Sequence, residues 1–121
     1  MHSMDHYFDL EPVGDVVVVR IGDQELLRST GAVRLLEFNQ GRALPPVIYF
    51  PRADVPVDQW EKSGLTTGCA IKGRCEYWSI DAAGQRKANV AWSYTNVTKD
   101  GERIKDWVAF DKERVTIETA G

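Results

Sequence analysis

At 121 residues, with 43% hydrophobic and 27% charged side chains, the chain can bury one hydrophobic core but not two, and it lacks the apolar-poor composition of a disordered segment. Eighteen acidic and fifteen basic residues are interspersed and leave a net charge of -3, so no basic stripe exists to neutralise a run of phosphates, and nucleic acid is not an expected partner. Apolar runs such as Val16 to Val19 are far shorter than the roughly 20 residues of a membrane helix, and Asp5, Asp9 and Glu11 make the N-terminal region unlike a secretion signal, so the expectation is a cytoplasmic protein with no membrane partner.

Residues 1–9 read as a flexible lead-in and 10–121 as a single β-rich domain. Val16 to Ile21 is a β-branched run ended by Gly22-Asp23, and Gln24 to Leu27 returns as the second arm of a hairpin. Ser29 to Glu37 fits a short helix capped near Ser29 or Thr30 as well as it fits a strand, because Val33, Leu35 and Leu36 satisfy both spacings. Val47 to Phe50, bracketed by Pro45-Pro46 and Pro51, reads as a short edge or end strand. Asp58 is placed to cap one or two helical turns that pass Trp60 and stop at Gly64. Arg74 to Ile80 and Ala88 to Tyr94 alternate on either side of Asp81-Ala82-Ala83-Gly84, which predicts a central antiparallel hairpin. Thr98 to Lys105 reads as a polar loop, Trp107 to Phe110 as a short strand and Arg114 to Glu118 as the last strand. Short strands separated by turn signals predict a mainly β, barrel-like or sandwich-like architecture.

Both histidines, His2 and His6, fall in the expected lead-in, leaving the body of the domain without one. Ser–His and Cys–His nucleophile pairs and histidine-rich metal sites are therefore not expected. Cys69 and Cys75 are too few for a disulfide framework or a four-thiolate zinc site, and no phosphate loop or dinucleotide turn occurs, so neither metal nor cofactor is expected. The most site-like stretch is Thr66 to Gly73, in which Gly68 and Gly73 bracket a turn and Cys69 and Lys72 lie three residues apart. A lysine beside a thiol favours the thiolate, which makes Cys69 and Lys72 a candidate catalytic pair. The competing reading is a small buried thiol and a solvated charge. Lys72 and Arg74 beside free turn amides also suggest an anion site, against ordinary loop charge. Tyr49, Tyr77, Trp78, Trp92, Tyr94 and Trp107 either wall a pocket or fill the core. Glu37 and Asp54 are the most site-like acids, with salt bridges to Arg34, Arg52 or Lys72 as their alternative role.

Several of these residues fall in motifs: Tyr49-Phe50-Pro51-Arg52 followed by Asp54-Val55, Thr67-Gly68-Cys69 followed by Lys72-Gly73, Tyr77-Trp78, Ala91-Trp92 with Tyr94, and Ala109-Phe110. In that combination, from about Val16 to Ile117, the chain resembles the small, mostly bacterial proteins grouped as domain of unknown function 427, sometimes labelled nucleotidyltransferase-like. It departs from their pattern at Ala70 and at Thr95-Asn96-Val97, where prolines are usual. The resemblance implies a compact, single-domain, tent-like or barrel-like set of antiparallel sheets with one or two short helical turns. It also implies that Tyr49, Asp54, Cys69, Lys72, Trp92 and Tyr94 border a shared cleft. It supplies no reaction. The expectation drawn from residues and resemblance together is a small anionic or nucleotide-like ligand in an aromatic-lined cleft near Cys69 and Lys72, contacted by Tyr49, Arg52, Asp54, Lys72, Gly73, Trp92 and Tyr94. A thiol-dependent enzyme using Cys69 is the first alternative. An interaction module, in which Trp60 or Trp107 docks a partner or a second copy in a homodimer, is the other.

Overall fold

The β-branched and aromatic residues of this chain fall into eleven short strands in a computed structural model that describes residues 5–119. These are β1 (His6–Pro12), β2 (Val17–Ile21), β3 (Gln24–Ser29), β4 (Val33–Asn39), β5 (Arg42–Ala43), β6 (Val47–Tyr49), β7 (Glu61–Cys69), β8 (Gly73–Ala82), β9 (Gln85–Val97), β10 (Val108–Phe110) and β11 (Thr116–Thr119). They form three antiparallel sheets: β1-β4-β5 with β6 also on β4, a central β10-β9-β8-β7, and β11-β2-β3. The sheets do not close into a barrel.

The central sheet is covered on both faces. From Ala91 on, consecutive residues of β9 face opposite sides, so Ala91 joins one cluster and Trp92 the other. The first cluster packs Trp78, Ile80, Val108 and Phe110 against Val17, Val19, Ile21 and Phe50, while the second sets Trp92, Tyr94 and Ala109 against Phe8, Leu35 and Tyr49. Each fully buried Val, Ile or Phe contributes roughly 1.5–3 kcal/mol through its removal from water. The bond pair between Phe50 and Val108, at 2.8 and 3.0 Å, stitches the β6 edge of the first sheet to the β10 edge of the central one.

The central and opening hairpins form as predicted, except that Val90 packs with Ala91 in the first cluster and not with Trp92 and Tyr94 in the second, and the 29–37 ambiguity resolves as strand from Val33 onward. Val33, Leu35 and Glu37 lie on one face of β4, which pairs with β1 along its length and with β6 from Val33 to Leu35. Two expectations are corrected. His6 to Asp9, read as lead-in, are the first half of β1: Phe8 and Leu10 point into the second cluster while Tyr7 stacks outward on Phe38 at 5.1 Å. Residues 1–4 of that lead-in lie outside the described residues. Helical turns running to Gly64 are replaced by two 3-10 turns, Arg52–Asp54 and Val57–Gln59, each begun by a proline and uncapped by any side chain. Gly64 instead sits inside β7, in the stretch where its register against β8 shifts.

Candidate functional site

The β7–β8 turn is tighter than its two glycines suggest. Gly68 is part of β7, so the turn consists of Ala70, Ile71 and Lys72, and only Gly73 needs an unusual backbone, at φ +122°. The segment after β9 holds this turn in place. Thr98 donates from its hydroxyl to the Ile71 carbonyl at 2.7 Å and from its backbone to the Lys72 carbonyl at 3.1 Å, and Gly101 packs directly on the Lys72 backbone.

From this fixed position the Lys72 side chain runs inward. The residue is 7% exposed, its Nζ donates to Glu37 Oε1 at 2.8 Å, and it lies 5.3 Å from the centre of the Tyr94 ring. The second oxygen of Glu37 is 2.7 Å from His6 Nε2. Burial alone would raise the Glu37 carboxyl, but hydrogen bonds from Lys72 and His6 outweigh it and hold the group below its ordinary value. A chain His6–Glu37–Lys72 thus joins β1, β4 and the β7–β8 turn. His6 was not expected to take part in the folded body. The clue was the apolar alternation of Phe8 and Leu10 in a segment headed by acidic residues.

The remaining expected residues divide between two faces. Cys69, Tyr49, Trp92 and Tyr94 share the second cluster with the side of the sheet that Lys72 caps, and the Trp92 indole donates to the Tyr49 hydroxyl at 3.3 Å. Burial pushes the Tyr49 and Tyr94 phenols well above the usual tyrosine range, so both are neutral donors at physiological pH. Arg52 is elsewhere: it bonds the Ser93 hydroxyl at 3.3 Å and the Asp106 carbonyl at 3.2 Å and stacks over Trp78. Since Ser93 and Tyr94 are consecutive in β9, Arg52 and Lys72 are on opposite faces of the sheet. Asp54 accepts from the Ser29 hydroxyl at 2.6 Å and ties its 3-10 turn to the end of β3. Arg74 turns outward to the Thr66 hydroxyl. An anion site combining Lys72 with Arg52 or Arg74 is therefore not assembled, and the Lys72 charge is already engaged by Glu37.

The thiols differ in environment. Cys75 is buried and its thiol is pushed up to about 11, chiefly by burial, whereas Cys69 is half-buried at the end of β7. Alkylation of the native protein at neutral pH is expected to modify Cys69 first and to reach Cys75 only on unfolding; equal rates, read by mass spectrometry of the two peptides, would contradict this placement. Neither candidate docking ring stands free. Trp60 packs edge-on against Phe110 at 5.8 Å, and Trp107 is packed against the second cluster.

A cavity of small-ligand size lies away from Lys72. It is a cleft of about 790 Å³ between β6, with its Pro45-Pro46 approach, and the segment from β10 to β11. Val47, Ile48, Phe110, Val115 and Ile117 make its apolar walls, and Arg34 and Lys112 stand at its rim. Of the expected site residues only Trp92 reaches it. For binding, this cleft outranks the Lys72 cluster on physical grounds, because its volume is in the range of small-ligand sites whereas the polar groups of the cluster already satisfy one another. Sequence reasoning missed it because its two walls are about 65 residues apart in the chain and meet only through the Phe50–Val108 bridge. Among the described residues no three His, Cys, Asp or Glu side chains are grouped closely enough to hold a metal, and no helix is long and apolar enough to cross a membrane.

Three antiparallel sheets around a four-stranded centre, with a ligand-sized cleft at one seam, define a small, single-domain, mainly β protein. The chain belongs to the family described as Domain of unknown function (DUF427), whose model matches residues 9–121. No curated protein matches it.

Proposed function

We propose that the protein is a small-ligand-binding β domain and that the ligand occupies the cleft between β6 and the β10–β11 segment. The observation that carries this reading is the cleft itself: about 790 Å³, mainly apolar, with the Trp92 ring in its lining. The hydrogen bond from the Trp92 indole to Tyr49 fixes that ring, so binding spends little entropy on ordering it. The charged rim offers Lys112 to a ligand with an apolar body and one anionic group, and Glu113, likewise outside any ion pair among the described residues, to a cationic group on the same ligand. Arg34 shares its charge with Glu11 at 2.7 Å, and Asp111 is held by Arg114 and the Glu113 amide, whereas Lys112 enters no ion pair among the described residues. That anionic group keeps the ligand class expected from sequence but moves its site away from Lys72.

A thermal-shift screen with aromatic carboxylates, nucleoside monophosphates and inorganic phosphate tests the proposal. A ligand at a hundred times its Kd is expected to stabilise the protein by about 2.7 kcal/mol. Thr116→Trp, placed on an exposed lining residue to fill the cleft mouth, is expected to abolish the effect without disturbing the core. Stabilisation that survives Thr116→Trp, or no stabilisation by any member of the panel or by any short extended peptide, would overturn it.

A further inference from the structure

The two strands that wall the cleft hydrogen-bond to each other at one point and then diverge. Phe50 spends both its backbone groups on Val108, so along β6 the even-numbered residues face β10 and the odd-numbered ones face β4. Ile48 therefore directs its N–H and C=O toward the cleft, and Pro46, the next residue on that side, has no N–H to leave unpaired. The facing wall obeys the same alternation. Asp111 donates to the Val90 carbonyl of β9 at 2.8 Å, so Phe110, between Val108 and Asp111, directs its own N–H and C=O away from β9 and toward β6. Among the described residues neither Ile48 nor Phe110 takes a backbone partner across this gap: β6 pairs only with β4, β10 only with β9, and the single bridge is at Phe50.

A cleft with apolar walls and backbone donors and acceptors on both sides presents what an added β-strand requires. A flat acid would fill the volume but leave these backbone groups without partners, and a bare anion would use neither the walls nor the acceptors. We propose that the ligand is a short extended peptide, hydrogen-bonded through its backbone to Ile48 and Phe110, with alternate apolar side chains against Trp92 and Val47 on one side and Val115 and Ile117 on the other. The proposal rests on the reading of the cleft as the ligand site. The peptide's free C-terminal carboxylate supplies the anionic group for Lys112.

The test uses the whole protein and a pooled library of synthetic hexapeptides with free C-termini. Peptides retained by the protein are resynthesised, and their affinity is measured by calorimetry before and after N-methylation of each amide in turn. Because an extended strand presents successive amides to opposite edges, methylation of the amide bonded to Ile48 or of the amide of opposite parity bonded to Phe110 is expected to weaken binding about tenfold or more, with little effect at the amides that face neither residue. Thr116→Trp is expected to abolish binding. Retained peptides that are indifferent to N-methylation, or that bind Thr116→Trp as tightly as the parent protein, overturn the proposal. If no peptide is retained while an aromatic carboxylate still stabilises the protein through the cleft, the peptide assignment fails and the cleft reading stands. If neither binds, both fail. Methylation is made on the ligand, so a fault in protein folding cannot imitate the expected pattern.

Discussion

Lys72→Met is expected to lower the stability of the domain by about 3 kcal/mol in urea denaturation at neutral pH, the lower end of the range for removing one partner of a buried ion pair. The loss comes mainly from what is left behind. Glu37, with a side chain 13% exposed, keeps only His6 as a partner, and its charge then sits in an apolar cluster without the cation that offset its desolvation. The double variant Lys72→Met with Glu37→Gln is therefore expected to recover much of the loss, because no unpaired charge remains. Losses that simply add would show that the pair is not coupled. The same geometry sets the acid limb of stability. The Glu37 carboxyl is held below the ordinary value of 4.5 in the folded state, so its contribution is complete above that value and is lost as pH falls through the lower, folded one. The stability difference between the parent protein and Glu37→Gln is expected to shrink as the pH is lowered below about 4.5. A difference that stays constant to strongly acid pH would contradict the assignment.

Gly73→Ala is expected to cost about 3 kcal/mol or more, through two effects at one position. Its φ of +122° lies where side chains are strained, and an added Cβ would land on the backbone carbonyl of Asn96, which is fixed in β9 and cannot yield as a flexible side chain would. Gly84 separates the two effects. It has φ +73° with open space around it, so Gly84→Ala carries the backbone strain alone, about 1 kcal/mol. Gly68→Ala meets only the end of the Arg74 side chain, which can move aside. Measured denaturation midpoints should rank Gly73→Ala far below the other two. A Gly73→Ala protein as stable as Gly84→Ala would mean that the turn adapts. The residue expected to contact ligand is thus required for the close passage of β8 past β9.

Much of the fold was legible because alternation survives in the sequence wherever a strand is half-buried. Residues 74–80 and 88–94 flank a turn at Ala83-Gly84, and Val16 to Leu27 folds back at Gly22-Asp23. The adjacent Leu35-Leu36 fitted two periods at once, and only pairing with β1 and β6 decides between them. β1 was obscured because its outward residues include Tyr7, 45% exposed, among acids that resemble a solvated tail. Trp92 and Tyr94 share a face through the alternation of β9, whereas Tyr49 and Cys69 join them from β6 and the end of β7, which no local pattern connects to β9. Arg52 and Asp54 could not be assigned a face from sequence, since both sit in a 3-10 turn between sheets where neither strand nor helix periodicity applies. The cleft needed the third dimension, because its walls at 45–48 and 110–117 carry no shared motif.

The central claim is that ligand enters the cleft beside β6 and not the Lys72 cluster. Amide chemical-shift mapping with the best stabiliser from the thermal-shift screen tests this most directly. The structure predicts the largest changes at Ile48, Phe110, Lys112 and the Trp92 indole, with little change at Lys72, Gly73 and Cys69. Shifts concentrated at Lys72, Gly73 and Cys69, with Ile48 and Phe110 unmoved, would contradict it.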